Sequence, residues 1–172
     1  MKTPLISVMC VIVCAAASLA GDVPSGFLPL SKLSDAQAKA RQSKKLIAIT
    51  AHGSDDQCPY TADAFAKGTA ALRSSCVMVY TRVSDFRSQK DSLPASLKTP
   101  AETAVDGAAV AFYVYDPDLG KIIASVNRGQ IEKDPKSLTA TKKMVSEAQK
   151  QLAGSSAAGG TDPLDVFHKP TR

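Results

Sequence analysis

The sequence has no tryptophan and few aromatic residues of any kind: five phenylalanines and four tyrosines among 172 residues. Its 21 Lys and Arg residues, set against 16 Asp and Glu, are scattered along the chain and form no cluster. A nucleic-acid surface needs a basic cluster, commonly interleaved with aromatics, so no nucleic-acid partner is expected. The net charge of +5 implies only weak attraction to acidic surfaces. Cysteine is scarce, with four in all, and no internal repeat is present. Beyond the N-terminus there is no long apolar run, so stable membrane insertion is not expected once the leader is gone.

What is present begins with that leader. Lys2 precedes an apolar stretch over residues 5–17 broken only by Ser7, and Ser18-Leu19-Ala20 is a small-x-small cleavage signal before Gly21. The run is shorter than the roughly 20 apolar residues that cross a bilayer. Met9 precedes Cys10 and Val13 precedes Cys14, which does not fit lipid attachment at either cysteine. Residues 1–20 are therefore expected to be a cleaved signal peptide, and the mature protein to be secreted or periplasmic. Cleavage removes Cys10 and Cys14 and leaves Cys58 and Cys76. Residues 21–172 suit one domain in size. The expected domain covers 21–153. A flexible C-terminal tail is expected over 154–172, where Ser, Ala and Gly give way to a proline-containing end.

Local patterns give the element order. Residues 21–31 read as a lead-in or short edge strand. Ser34 and Gln37 have capping-box spacing with Leu33 as staple, which predicts a helix over 35–43. Residues 46–51, apolar without alternation, read as a strand buried on both faces. A polar loop over 52–57 leads to a helix over 59–74 with Ala62, Phe65, Thr69 and Leu72 on its inner face, although Gly68 weakens it. Residues 76–83 form a second buried strand, and one irregular helix is expected between 92 and 105. The short turn 116–120 forces strands 109–115 and 121–127 to pair antiparallel. Tyr113 and Tyr115 are read as packing residues. Asp134 caps a last helix with Pro135 at its first position and Leu138, Val145, Ala148 and Leu152 on one face. Right-handed crossovers between parallel strands then make an α/β fold, a three-layer sandwich with a central mixed sheet.

Cys58 is the residue best placed for chemistry. It opens a helix after a buried strand, where unpaired N–H groups and the helix dipole favour a thiolate. Cys76 cannot resolve it by this reading. The intervening helix of about 15 residues spans roughly 20 Å, whereas a disulfide needs Cα atoms within about 7 Å. Cys76 is read as a small buried hydrophobe. His52, Asp55 and Asp56 lie near Cys58 but match no metal-ligand spacing; they are read as a solvated loop, and His168 as a bystander in the tail. No metal and no cofactor is expected.

Strand, loop, Cys58-Pro59-Tyr60-Thr61 at a helix start, strand, hairpin and terminal helix together resemble the thioredoxin superfamily over residues 27–152. Gly53-Ser54-Asp55 is similar to secreted and periplasmic bacterial members. Gly120-Lys121-Ile122 and Arg128-Gly129 stand where such proteins place the last hairpin and its exit. The resemblance implies a thioredoxin-like sandwich, thiol chemistry at Cys58, and a docking face that includes Pro59, Tyr60 and the position of the family's cis-proline. The chain departs from the pattern at three places. Thr61 stands where the resolving cysteine would be, and Gln57 replaces an aromatic. Ala109, aligned through Gly107-Ala108-Ala109-Val110, replaces the cis-proline. A cis bond before a non-proline residue costs about 2.5–4 kcal/mol, so a trans bond is expected there. Dithiol exchange cannot run on Cys58 and Thr61.

Two functions remain open. The favoured one is a redox-degenerate binding or scaffold module of the cell envelope, presenting the Cys58 face to a protein partner. The other is a weak monothiol oxidoreductase in which Cys58, with Thr61 beside it, acts on a thiol substrate.

Overall fold

The computed structural model describes residues 23–55 and 57–155. The expected signal peptide, and all of the expected tail beyond residue 155, lie outside that range. Among the described residues no helix is long and apolar enough to cross a membrane.

The chain is α/β, with five strands in one mixed sheet and six α-helices among the described residues. The strands are β1 (Leu28–Pro29), β2 (Leu46–His52), β3 (Cys76–Arg82), β4 (Val110–Tyr115) and β5 (Ile122–Asn127), in the spatial order β1-β3-β2-β4-β5. β2 runs parallel to β3 with Ile47 opposite Val77, and antiparallel to β4 with Thr50 opposite Phe112. The two-residue β1 sits at the edge beside β3, where a proline in the ladder is tolerated.

All seven residues of β2 are buried. The reason is a helix layer against each face, with successive side chains entering different cores. Ile47 and Ile49 meet Ala36 and Ala40 of α1 (Leu33–Ser43), Phe86 of α3 (Val83–Ser88) and Leu97 and Ala101 of α4 (Ala95–Thr103). Leu46 and Ala48 face the other core. That core holds Ala64 and Leu72 of α2 (Pro59–Leu72), Ile131 of α5 (Arg128–Lys133) and Val145 of α6 (Pro135–Ser155).

Several local expectations give way to tertiary contacts. The Ser34–Gln37 capping box does not form. α1 starts at Leu33, its N-cap Lys32 makes no side-chain cap bond, and Gln37 Nε2 instead donates to Pro117 O at 3.3 Å. The inner face of α2 is Thr61, Ala64, Gly68 and Leu72, with Ala62 exposed. Gly68 turns it: a Cβ there would lie 2.2 Å from Cε2 of the fully buried Phe112, so the missing side chain lets the ring sit against the helix backbone. The one irregular helix expected between 92 and 105 is α4; what the sequence did not announce is α3 over Val83–Ser88, joined to α4 through a 3-10 turn at Lys90–Ser92. Pro100 lies inside α4 and has no N–H to give the Ser96 carbonyl. The hydroxyl of buried Tyr115 donates to that carbonyl at 3.1 Å instead. Before α6, Asp134 Oδ1 accepts from Lys136 N at 2.9 Å, in keeping with its expected cap, and the helix runs on through Gly154 to Ser155.

Gly68→Ala tests the contact with Phe112. Ala ordinarily favours a helix over Gly by about 1 kcal/mol, yet here overpacking should reverse the sign and destabilise by about 1–3 kcal/mol. Adding Phe112→Leu should recover part of that loss in denaturant unfolding. A Gly68→Ala protein more stable than the parent would contradict this packing.

Candidate functional site

β2 ends at His52, and the loop that follows is sewn to a second loop approaching β4. Gly53 N donates to Ala109 O at 2.7 Å, Asp55 N to Gly107 O at 3.2 Å, and Ser54 N to Asp106 Oδ1 at 2.9 Å. Asp106 Oδ1 also accepts from Gly107 N at 2.8 Å. The Gly107 and Ser54 N–H groups, aided by Arg87, hold the Asp106 carboxyl below its ordinary range. A Cβ at Gly53 would lie 2.0 Å from the Gly107 carbonyl oxygen, so only glycine allows the two backbones this close.

That seam delivers Cys58 as the N-cap of α2, with Pro59 at the first helical position. Thr61 N and Ala62 N bond the Cys58 carbonyl at 3.0 and 3.2 Å. Cys58 is half-buried and free, and its thiol lies below its ordinary pKa. The Thr61 hydroxyl is the largest cause, followed by the Thr61 N–H; partial desolvation opposes them, and the Tyr60 N–H and the Arg128 guanidinium add to the lowering.

Arg128 is the residue that sequence reasoning missed as part of the site. Its Nη1 lies 3.7 Å from Cys58 Sγ and 3.3 Å from Thr61 Oγ1, and it donates to Ala108 O. Its Nε donates to Glu132 Oε1 at 2.7 Å, and its guanidinium stands 5.9 Å from the Tyr60 ring centroid. α5 aims this side chain, and α5 begins at a capping box. Asn127 Oδ1 accepts from Gln130 N at 3.0 Å while Gln130 Oε1 accepts from Asn127 N at 2.9 Å. The Asn-x-x-Gln spacing at 127–130 was visible in the sequence and marks the start of α5. Its distance from Cys58, 70 residues along the chain, was not bridgeable without the sheet order.

The other expected residues sort clearly. Cys58, Tyr60 and Thr61 meet at Arg128. Pro59 is exposed beside them. Ala109 belongs to the seam, and it is the neighbouring Ala108 whose carbonyl meets Arg128. No cis peptide occurs among the described residues, so the bond before Ala109 is trans, as its cost implies. His52 does not belong to a solvated loop. It closes β2, is buried, has Nδ1 3.0 Å from Gly53 O, and packs against the Phe65 and Tyr80 rings. Asp55 is exposed and accepts from Gln57 N at 3.2 Å; Asp56 and His168 lie outside the described residues. Cys76, 3 % exposed in the α2-side core, is free, and burial pushes its thiol up to about 12, offset slightly by Lys45. Half-buried Tyr113 lines a cleft beside Arg128, while Tyr115 is core.

The site can thus present one thiolate to solvent, steadied by a hydroxyl, helix N–H groups and a guanidinium. Among the described residues the only other thiol is the inert Cys76. In comparisons with known proteins, no family model, no curated protein and no solved structure matches the chain.

Alkylation of the native protein should show a single reactive thiol, Cys58, with a rate midpoint below the ordinary thiol pKa of about 8.5. Thr61→Val should raise that midpoint more than Arg128→Gln does, and Cys76 should react only in denaturant. A midpoint at or above the ordinary value contradicts the arrangement. The seam has its own pH signature. Because the folded pKa of Asp106 is depressed, its charge stabilises the fold above the unfolded value and ceases to do so as pH falls through the folded one. The melting temperature of Asp106→Asn should therefore lie below that of the parent at neutral pH, and the gap should close in acid. A gap independent of pH would remove the Asp106 charge from the account.

Proposed function

We propose that this protein is an exported, thioredoxin-like monothiol protein that exchanges disulfides through Cys58. The observation that carries the reading is the convergence of Thr61 and Arg128 on a half-buried cysteine at the start of α2. A decayed site would need none of these donors. The strand order, with Cys58 following β2 and the hairpin closing the sheet, supports a thioredoxin-like scaffold. The leader over residues 1–20 supports a secreted or periplasmic location, where disulfides persist.

The chemistry is a two-step exchange. The Cys58 thiolate attacks one sulfur of a mixed disulfide; a bond forms between the two sulfurs and the substrate leaves as a thiolate carrying the electron pair. A low-molecular-weight thiolate then attacks the resulting adduct on the sulfur not belonging to Cys58. A small disulfide departs and the Cys58 thiolate returns. The Thr61 hydroxyl and the Arg128 guanidinium lower the proton affinity of Cys58 both as attacking and as leaving group. No second protein thiol is required, which accords with threonine at position 61.

The other reading, a redox-silent binding module, draws on Tyr60, which is 65 % exposed at the rim of the site. One experiment separates them. With a mixed-disulfide substrate and a small thiol as reductant, the parent and Cys76→Ser proteins should turn over at matching rates and Cys58→Ser should be inactive. A parent rate no faster than Cys58→Ser favours the binding module.

A further inference from the structure

Arg128 belongs to two places at once. Its Nη1 reaches Cys58 and Thr61, and the residue also lines a cleft of about 470 Å³. The cleft lies between the end of α4, the 106–109 loop, the start of β4 and α5. Its walls are short and apolar, among them Val83, Ala104, Ala109 and Ala111, and Lys133 and Glu132 stand with Arg128 at its polar side. The volume suits a small organic ligand.

The hydrogen bonds of Arg128 narrow the choice. Nε is taken by Glu132, and Nη1 by Ala108 O, Thr61 and Cys58, whereas Nη2 makes no hydrogen bond to any described residue. Asp55 acts on Arg128 through charge and already accepts from Gln57 N. The Arg128 side chain is a quarter exposed and lines the cleft, so a ligand carboxylate there can meet its spare donors and gain a charge-assisted bond. An extended peptide laid along the 106–109 loop would need backbone acceptors there. The Ala108 carbonyl is occupied by Arg128 and the Ala109 carbonyl by Gly53 N.

We propose that the substrate of the Cys58 site is a small disulfide carrying a carboxylate a few bonds from its sulfur, with the carboxylate on Arg128 and the apolar part in the alanine-walled cleft. This rests on the monothiol reading and gives it a substrate class. In the step itself the Cys58 thiolate forms a bond to the nearer substrate sulfur, the substrate S–S bond breaks, and the distal half leaves as a thiolate.

The test uses the mature Cys76→Ser protein and follows Cys58 with two aromatic disulfides, the carboxylate-bearing dithiobis-nitrobenzoate and the neutral dithiodipyridine. The ratio of the two rate constants cancels the thiolate fraction, so a change in Cys58 pKa does not move it. Arg128→Gln should lower that ratio about tenfold, the value of one charged hydrogen bond, and Arg128→Lys should restore part of it. Ala111→Leu, checked for an unchanged melting temperature, should raise the half-saturating concentration of the carboxylate probe by narrowing the cleft. If Ala111→Leu is destabilised, protection of Cys58 from iodoacetamide by nitrobenzoate replaces it. A ratio unmoved by Arg128→Gln overturns the proposal, as does an unmoved half-saturation or absent protection. These failures differ from failure of the monothiol reading, in which Cys58 reacts with every probe no faster than in the unfolded chain.

Discussion

Gly53 meets Gly107 closely enough that any side chain on Gly53 would overlap the opposing carbonyl, and the whole site hangs from that approach. The antiparallel pairing of β2 with β4 continues past the strand ends through Gly53 N and Ala109 O, and Asp106 adds its carboxylate to the same seam. With the two loops joined, the chain leaving β2 enters α2 at Cys58, and the chain entering β4 leaves the Ala108 carbonyl turned to Arg128. The thiol and the guanidinium come from positions 70 residues apart in the sequence, and this seam is what they share.

The electrostatics of the molecule concentrate there. The ion pairs Arg41–Asp118 and Lys67–Asp63 are more than half exposed on both sides, and pairs of that kind contribute at most about 1 kcal/mol. Arg128–Glu132 is about three-quarters covered and is bound to neutral acceptors as well. Glu132 lies one turn on from Arg128 in α5, so the helix that places the cation also supplies its counter-charge. The result is a fixed positive group beside a sulfur that gains from it as a thiolate, and the same Arg128 lines a small cleft with apolar walls. Cys76 shows the opposite case: the same functional group, desolvated in a core, is held as an inert thiol.

Sequence reasoning reached the elements that packing alone controls. The unbroken apolar runs of β2 and β3 announce burial on both faces, the short 116–120 turn announces a hairpin, and Asp134-Pro135 announces the start of α6. It missed where local signals compete with tertiary demands. Gln37 has capping-box spacing, but the Pro117 carbonyl lies within its reach in the folded chain. The inner face of α2 is rotated because Phe112, from a strand 44 positions beyond Gly68, rests against the helix backbone. His52 reads as a loop residue until Phe65 and Tyr80 close around it.

The candidate site divides in the same way. The sequence by itself determined that Cys58 opens a helix after a buried strand, that Thr61 leaves it without a resolving partner, and that Cys76 lies at the far end of that helix. These follow from near-neighbour spacing, which helix rise and strand periodicity convert directly into distance. Only the tertiary structure decided that Arg128 would stand beside the sulfur, that the carbonyl of Ala108 rather than Ala109 would meet the guanidinium, and that Arg128 would also line a cleft. Those facts depend on the sheet order β1-β3-β2-β4-β5, which brings residues 58, 108 and 128 to one end of the sheet. Pairing between distant strands is a property of the whole buried core, and no local window of sequence contains it.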